Sequence, residues 1–316
     1  MIHLRSRLAA RLFAAALLAS AAATVSASDS ASTSPAQAQG AQPQGAQKKT
    51  DGLGIIVIAH GANPTWNMPV TNAVARVSQT IPAERAFLMG TPDQTPQQAY
   101  DKLVANGAKR IVVVPLFVSS YSGHAEQVKF IGGQRNDYPH AEHMKLTQVK
   151  GSVPIVGVGR GMDDHAIVGD IIADRAKALS TDAKNEWLMI VAHGPNEDDE
   201  AAQWNKAITN VGARVQTKVP FKGVDVRLLR DDAPKEVKDK ALAEMRASVE
   251  EKSKTSKVVV VPLLLSTGRV GGQIPEVLKG LTYAWDGKPL LPDDRIADWI
   301  LDEAKRAAQK APAGSQ

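Results

Sequence analysis

The sequence predicts an α/β protein built from two duplicated lobes, each a doubly wound parallel sheet. Three observations predict it. Residues 54–61 read GIIVIAHG and residues 187–194 read WLMIVAHG, so each half carries an apolar run ending in Ala-His-Gly. Residues 110–119 read RIVVVPLFVS and residues 257–266 read KVVVVPLLLS, a second matching pair in the same order. Ordered matches at long, similar spacing are the mark of an internal duplication. Between these runs lie helical patterns, and continuous Val/Ile strands alternating with helices belong to parallel sheets covered on both faces.

The elements follow in order. A first strand ends at His60. Asn67–Thr80 and Thr95–Asn106 space apolar residues as helices do, and Thr95-Pro96 sets a proline at a first helical position. A short strand is expected at Arg85–Met89 and another at Leu146–Val149, with a helix over Ala166–Leu179. The second half repeats the plan with helices at Glu200–Lys218, Pro234–Lys252 and Asp294–Gln309 and a short strand at Asp225–Leu229. Ala233-Pro234 again places proline at a helix start. The lobes are assigned to residues 52–183 and 184–316.

Composition narrows the function classes. With 316 residues, 43% of them hydrophobic and only 4% aromatic, the chain can bury an aliphatic core, which excludes global disorder. It has no cysteine, which excludes a disulfide scaffold, thiolate metal sites, iron–sulfur clusters, a cysteine nucleophile and a lipoprotein anchor. The formal net charge is +5, and Arg5, Arg7 and Arg11 supply three of those charges in a segment without acids, residues 1–27. The remaining charge is mixed and forms no basic stripe, so nucleic acid is not an expected partner.

Those first 27 residues read as a secretory signal peptide. A basic start precedes the apolar run Leu12–Val25, and Val25-Ser26-Ala27 fits a small-x-small cleavage pattern. The run is shorter than the roughly 20 residues a spanning helix needs, so no stable membrane insertion is expected after cleavage. Residues 28–51, rich in Ala, Gln, Gly, Ser and Pro, read as a low-complexity linker. Together these imply an exported, periplasm-like location.

Chemistry in open parallel sheets sits at the carboxyl ends of the strands. His60 ends one strand, and His124 follows Pro115, which ends the other, so both face one crevice. Two imidazoles there can hold a divalent metal or exchange protons near neutral pH. Glu126, two residues after His124, is a candidate third ligand or proton acceptor. A histidine after a strand also serves as a cap or hydrogen-bonding residue. In the second half His193 matches His60, but the loop Leu263–Glu276 has no histidine, and Val270 or Gly271 stands where His124 would. His193 is therefore structural, or an accessory ligand reaching across the lobe interface.

Other candidates fit local roles. Glu197 to Glu200 form an acidic run suited to a helix start, and Asp163-Asp164-His165 and Asp293-Asp294-Arg295 open helices. His165 is a candidate to reach the crevice, beside its role in the cap. His140 and His143 offer a surface zinc site as an alternative to an ordinary loop. No P-loop, strand-borne GxGxxG, GxSxG or HExxH motif is present, which removes the usual support for nucleotide hydrolysis, hydride transfer, serine hydrolysis and zincin chemistry.

IVIAHGANPTWN at 56–67, VVPLFVSSYSGHAEQV at 113–128 and GMDDHAIVGDIIADRAKAL at 161–179 resemble the CbiX-like sirohydrochlorin chelatases among the class II tetrapyrrole chelatases. The likeness extends over two fused lobes, about 52–311. It implies a chelatase-like fold and insertion of divalent cobalt or iron into a sirohydrochlorin-type tetrapyrrole, with His60 and His124 as the active-site histidines. It implies no organic cofactor, a metal ion (Co, Fe or Ni) as substrate or ligand, and a monomer acting as a pseudo-dimer, or a homodimer. The alternatives are an exported metal- or tetrapyrrole-binding protein without turnover, and a two-lobed binding protein for another small solute.

Overall fold

A computed structural model describes residues 51–309 apart from Gly90 and His143. The expected signal peptide, most of the linker and His143 lie outside the described residues. The first half runs β1 (Leu53–Ala59), α1 (Pro64–Ser78), β2 (Ala83–Phe87), α2 (Pro96–Ala105), β3 (Arg110–Pro115), α3 (Gly123–Ile131), β4 (Ile155–Val158) and α4 (Ala166–Leu179). The second runs β5 (Glu186–Ala192), α5 (Asp198–Lys218), β6 (Gly223–Leu228), α6 (Lys235–Ser253), β7 (Lys257–Leu263), α7 (Arg269–Val277) and α8 (Arg295–Gln309). All named strand pairs are parallel, in the orders β2-β1-β3-β4 and β6-β5-β7. An isolated parallel bridge, Val259 to Ala284, stands where the second sheet would carry a fourth strand.

Strand alternation explains why these runs are apolar throughout. Ile55, Val57 and Ala59 point into a core shared by both halves, while Ile56 and Ile58 point into a separate core with Ala99, Leu103 and Val128. In β5, Leu188, Ile190 and Ala192 enter the shared core, and Met189 and Val191 pack with Met245, Val249 and Ile274. Each sheet therefore buries both faces, as parallel sheets do.

The two halves interlock through their last helices. α4 packs on α5 and β7, whereas α8 packs on β3, β4 and α1. Gly157 on β4 allows the second contact, because a Cβ there would lie 2.4 Å from the Ala307 carbonyl oxygen of α8. Glu303 of α8 accepts from the Arg160 backbone N–H at 2.5 Å. On the other side Asp170 of α4 takes Arg214 of α5 at 2.6 and 3.0 Å. Where the chain passes from one half to the other, Glu186 accepts from the Ser180 hydroxyl (2.5 Å) and from Thr181 N–H (3.0 Å) and hydroxyl (2.8 Å). Burial works against its charge, but those donors hold its carboxyl down to about 2.

Three expectations are corrected. Leu146–Val149 is not a strand: Leu146 and Val149 pack beside the outer core of the first sheet, and the fourth strand is Ile155–Val158. The strand expected at Arg85–Met89 begins and ends two residues earlier. His124 is not on a bare loop after β3 but in the first turn of α3, a helix that the sequence reading passed over together with its counterpart α7.

Candidate metal centre

His60 follows β1 directly. Gly61 takes φ +83, a left-handed conformation natural to glycine, and its added Cβ would lie 2.3 Å from the Met89 carbonyl oxygen. That bend brings the Gly61 carbonyl to 2.6 Å from His60 Nδ1. A carbonyl only accepts, so Nδ1 carries the proton and Nε2 keeps its lone pair. The Met89 backbone N–H donates to the His60 carbonyl at 2.9 Å, holding the strand end from the other side. Buried Asn67 on α1 accepts from the Ala62 N–H at 2.9 Å, and Asn63 caps α1. The residues after His60 in the motif thus fix its backbone.

His124 is the second residue of α3. Ser122 caps the helix, accepting from Ala125 N–H, and Ser120 bonds Asp163 through its N–H (2.7 Å) and hydroxyl (2.6 Å). Asp163, read from sequence as part of a helix opening, therefore ties the His124 loop to the chain before α4. Gln127, one turn on, is fully buried; its Nε2 donates to the Pro139 carbonyl (3.0 Å). Its Oε1 is thereby turned to His124 Nδ1 at 2.8 Å, so Nδ1 is again the protonated nitrogen.

The two rings meet. Their centroids are 4.9 Å apart with planes inclined by 70°. Phe117 stacks on His124 at 6.1 Å, and Trp66 sets an edge to His60 at 6.3 Å. Burial pushes both imidazoles below the ordinary 6.5, so both are neutral near pH 7. Two neutral Nε2 donors in one crevice are suited to a borderline divalent cation such as Co²⁺, Fe²⁺ or Ni²⁺.

Glu126 does not join them. Its carboxylate takes Lys129 at 2.5 Å and also Arg135. The reason is helical phase: residues two apart point to different sides, whereas residues three apart share a face. The partner of His124 on its own helix is therefore Gln127. Among the described residues, the only group of three or more His, Asp or Glu with ligand atoms within 4.8 Å is His193, Asp231 and Asp232.

The second half reproduces half of this arrangement. Gly194 takes φ +77, its carbonyl lies 2.7 Å from His193 Nδ1, and the His193 carbonyl accepts from the Arg230 N–H. Val270 occupies the position of His124 in α7, while Gln273 keeps that of Gln127. His193 Nε2 instead faces Asp232 Oδ2 at 3.3 Å. Burial opposes its charge, but Asp232 and the Gly194 carbonyl outweigh it and raise its proton affinity above the ordinary value. The charge of His193 is felt at both His60 and His124.

Hydrogen bonds join the two halves beside the site. The Ser266 hydroxyl donates to the Trp66 carbonyl at 3.0 Å, and the Trp204 indole N–H donates to the Tyr121 carbonyl at 2.5 Å. His165 does not reach the crevice; it is exposed and caps α4, accepting from Ile167 N–H. The His140 ring lies beside Gly123, and its charge is felt at His124. Glu197 to Glu200 lie at the start of α5, with three of the acids in its first turn.

Fold and crevice define a two-lobed α/β protein of chelatase-like fold. SirB from Bacillus subtilis with Fe3+ aligns with a TM-score of 0.59 and 17% identity, covering 81% of this chain and 95% of that one. The sirohydrochlorin chelatase SirB from Bacillus subtilis subspecies spizizenii, in complex with cobalt, aligns with a TM-score of 0.57 and 16% identity over the same shares. Residues 54–178 match the CbiX family model. A sirohydrochlorin ferrochelatase from Priestia megaterium is 24% identical over 203 residues, 64% of this chain and 68% of that relative. The first half of the chain is thus similar to the CbiX family, and the chain is similar over part of its length to a sirohydrochlorin ferrochelatase.

Proposed function

We propose that this protein inserts a divalent metal, cobalt or iron, into a sirohydrochlorin-type tetrapyrrole, using His60 and His124 to hold the ion. The observation that carries this reading is the pair itself: two rings 4.9 Å apart, each with Nδ1 engaged and Nε2 left as a donor. Insertion requires an ion that has shed water yet is still released. Two neutral imidazoles without thiolate or carboxylate in the first set bind a borderline cation loosely enough for four pyrrole nitrogens to take it over. The aromatic flank of Phe117 and Trp66 suits the flat face of a macrocycle.

Absorbance of the tetrapyrrole provides the test. With Co²⁺, Fe²⁺ or Ni²⁺ the spectrum changes with many turnovers per protein, and His60→Ala or His124→Ala abolishes the change while the fold remains. Full activity in either variant would sink the assignment. A stoichiometric shift without turnover would favour the second reading, an exported metal- or tetrapyrrole-binding protein. The loss of one histidine from the second lobe, at Val270, supports that alternative. In either reading the basic, then apolar, start of the chain supports export.

A further inference from the structure

We infer that His193, backed by Asp232, is the catalytic proton acceptor on the second-lobe side of the crevice. It takes the pyrrole N–H protons that the metal displaces, while His60 and His124 hold the metal. This rests on the chelatase reading and assigns it a residue beyond the metal-holding pair.

The chemistry demands a separate acceptor. Each pyrrole N–H bond breaks with its electron pair left on nitrogen, and that pair forms the nitrogen–metal bond. Two protons must go elsewhere for each divalent ion inserted. His60 and His124 are poor recipients, because the lone pairs that would take the protons are those that hold the ion. Their Nδ1 atoms are already protonated and bonded to the Gly61 carbonyl and Gln127.

His193 has the required geometry. It ends β5 as His60 ends β1, and the same glycine bend fixes its Nδ1–H on a backbone carbonyl, here at 2.7 Å. Its Nε2 therefore carries the lone pair and faces a carboxylate oxygen at 3.3 Å. An ionised carboxylate only accepts, so the contact is satisfied only when a proton lies between the two atoms. Neutral His193 is thus a receptor for one proton. Asp232 is exposed, which gives that proton a route to water before the second is taken.

The surrounding charges fit the same division of labour. His193 is faced by Asp231 and Asp232 from the loop after β6, and its charge is felt at His60 after β1 and at His124 on α3. Arg269 of α7 reaches Asp231 at 2.5 Å and Asp232 at 3.9 Å. Lys238 also holds Asp231, at 2.5 Å, so that carboxylate is already paired twice. Environments that push neighbouring groups apart in proton affinity separate their roles. Burial lowers the metal-side imidazoles, whereas Asp232 and the Gly194 carbonyl raise His193 above 6.5 against its own burial, so it binds a proton more readily than they do.

The test compares His193→Gln, Asp232→Asn and His60→Ala in the full chain, with two readouts. Co²⁺ titration without macrocycle reads the metal site, and turnover against pH reads proton transfer. His193→Gln leaves Co²⁺ affinity and stoichiometry as in the wild type but lowers kcat by about 100-fold. In the wild type the rate rises with pH through a limb above 6.5. Asp232→Asn lowers the proton affinity of His193, so this limb moves to lower pH; a merely structural role would lower the rate with the limb in place. Unchanged turnover in His193→Gln would overturn the inference. So would loss of Co²⁺ binding, or of a second bound ion, which would make His193 a ligand. Absence of insertion by the wild type would overturn the chelatase reading itself, and this assignment with it.

Discussion

His60 and His124 are useful because of the nitrogen each commits elsewhere. A free imidazole exchanges its proton between two nitrogens, and only the fixed tautomer presents a lone pair in a constant direction. Gly61 provides this for His60 and Gln127 for His124. Gln127→Ala should lower Co²⁺ affinity by about 10- to 100-fold, the usual effect of removing a partner behind a ligand, without unfolding the protein. Calorimetric titration checks it, and wild-type affinity would show that His124 needs no such support. The nearness of the two histidines was legible in the sequence, because a strand followed by His-Gly, and a nearby His after the paired strand, can be read without a structure. Gln127 was not, because its role depends on the Pro139 carbonyl, which only folding brings to it. Recognising that His124 lies inside a helix would have favoured position 127 over Glu126.

The exchange of α4 and α8 makes one protein of the two halves. Trp299, Ile300, Ala304 and Ala307 of α8 enter the core shared with the first sheet. Trp299→Ala removes the largest fully buried side chain and should cost about 3–5 kcal/mol. Denaturant unfolding monitored by circular dichroism reads that loss as one cooperative transition. Two transitions, with the first half unaffected, would show that the lobes fold separately. The long strands and the six helices expected from the sequence are present, because their apolar periodicity is a local signal. β4 was missed because it is four residues long and contains Gly157, which weakens a strand pattern. That glycine is explained by the close approach of α8, a distant element. α3 and α7 were missed because each spans nine residues after a loop whose Ser and Gly residues read as continuing coil.

The two halves place equivalent histidines, His60 and His193, at the ends of β1 and β5, and they differ in what surrounds them. The first half keeps the pair. The second keeps Ala-His-Gly and Gln273 but places Val270 where a ligand would be, and it surrounds His193 with Asp231 and Asp232. One lobe presents neutral donors and the other a proton-binding dyad, so the crevice is asymmetric although the fold is nearly symmetric. The matching strand ends were visible in the sequence as paired motifs. The sequence left open whether His193 reaches across the lobe interface, and its pairing with Asp232 was not legible, because it depends on how the loop after β6 folds. The central claim is that the metal passes from His60 and His124 to the macrocycle. It is tested most directly by loading the protein with one equivalent of Co²⁺ and mixing it rapidly with metal-free sirohydrochlorin and excess chelator. The account predicts that the macrocycle gains the cobalt before the chelator does, and that the His60→Ala/His124→Ala protein passes none. Capture of all the cobalt by the chelator, or equal transfer from the double variant, would contradict it.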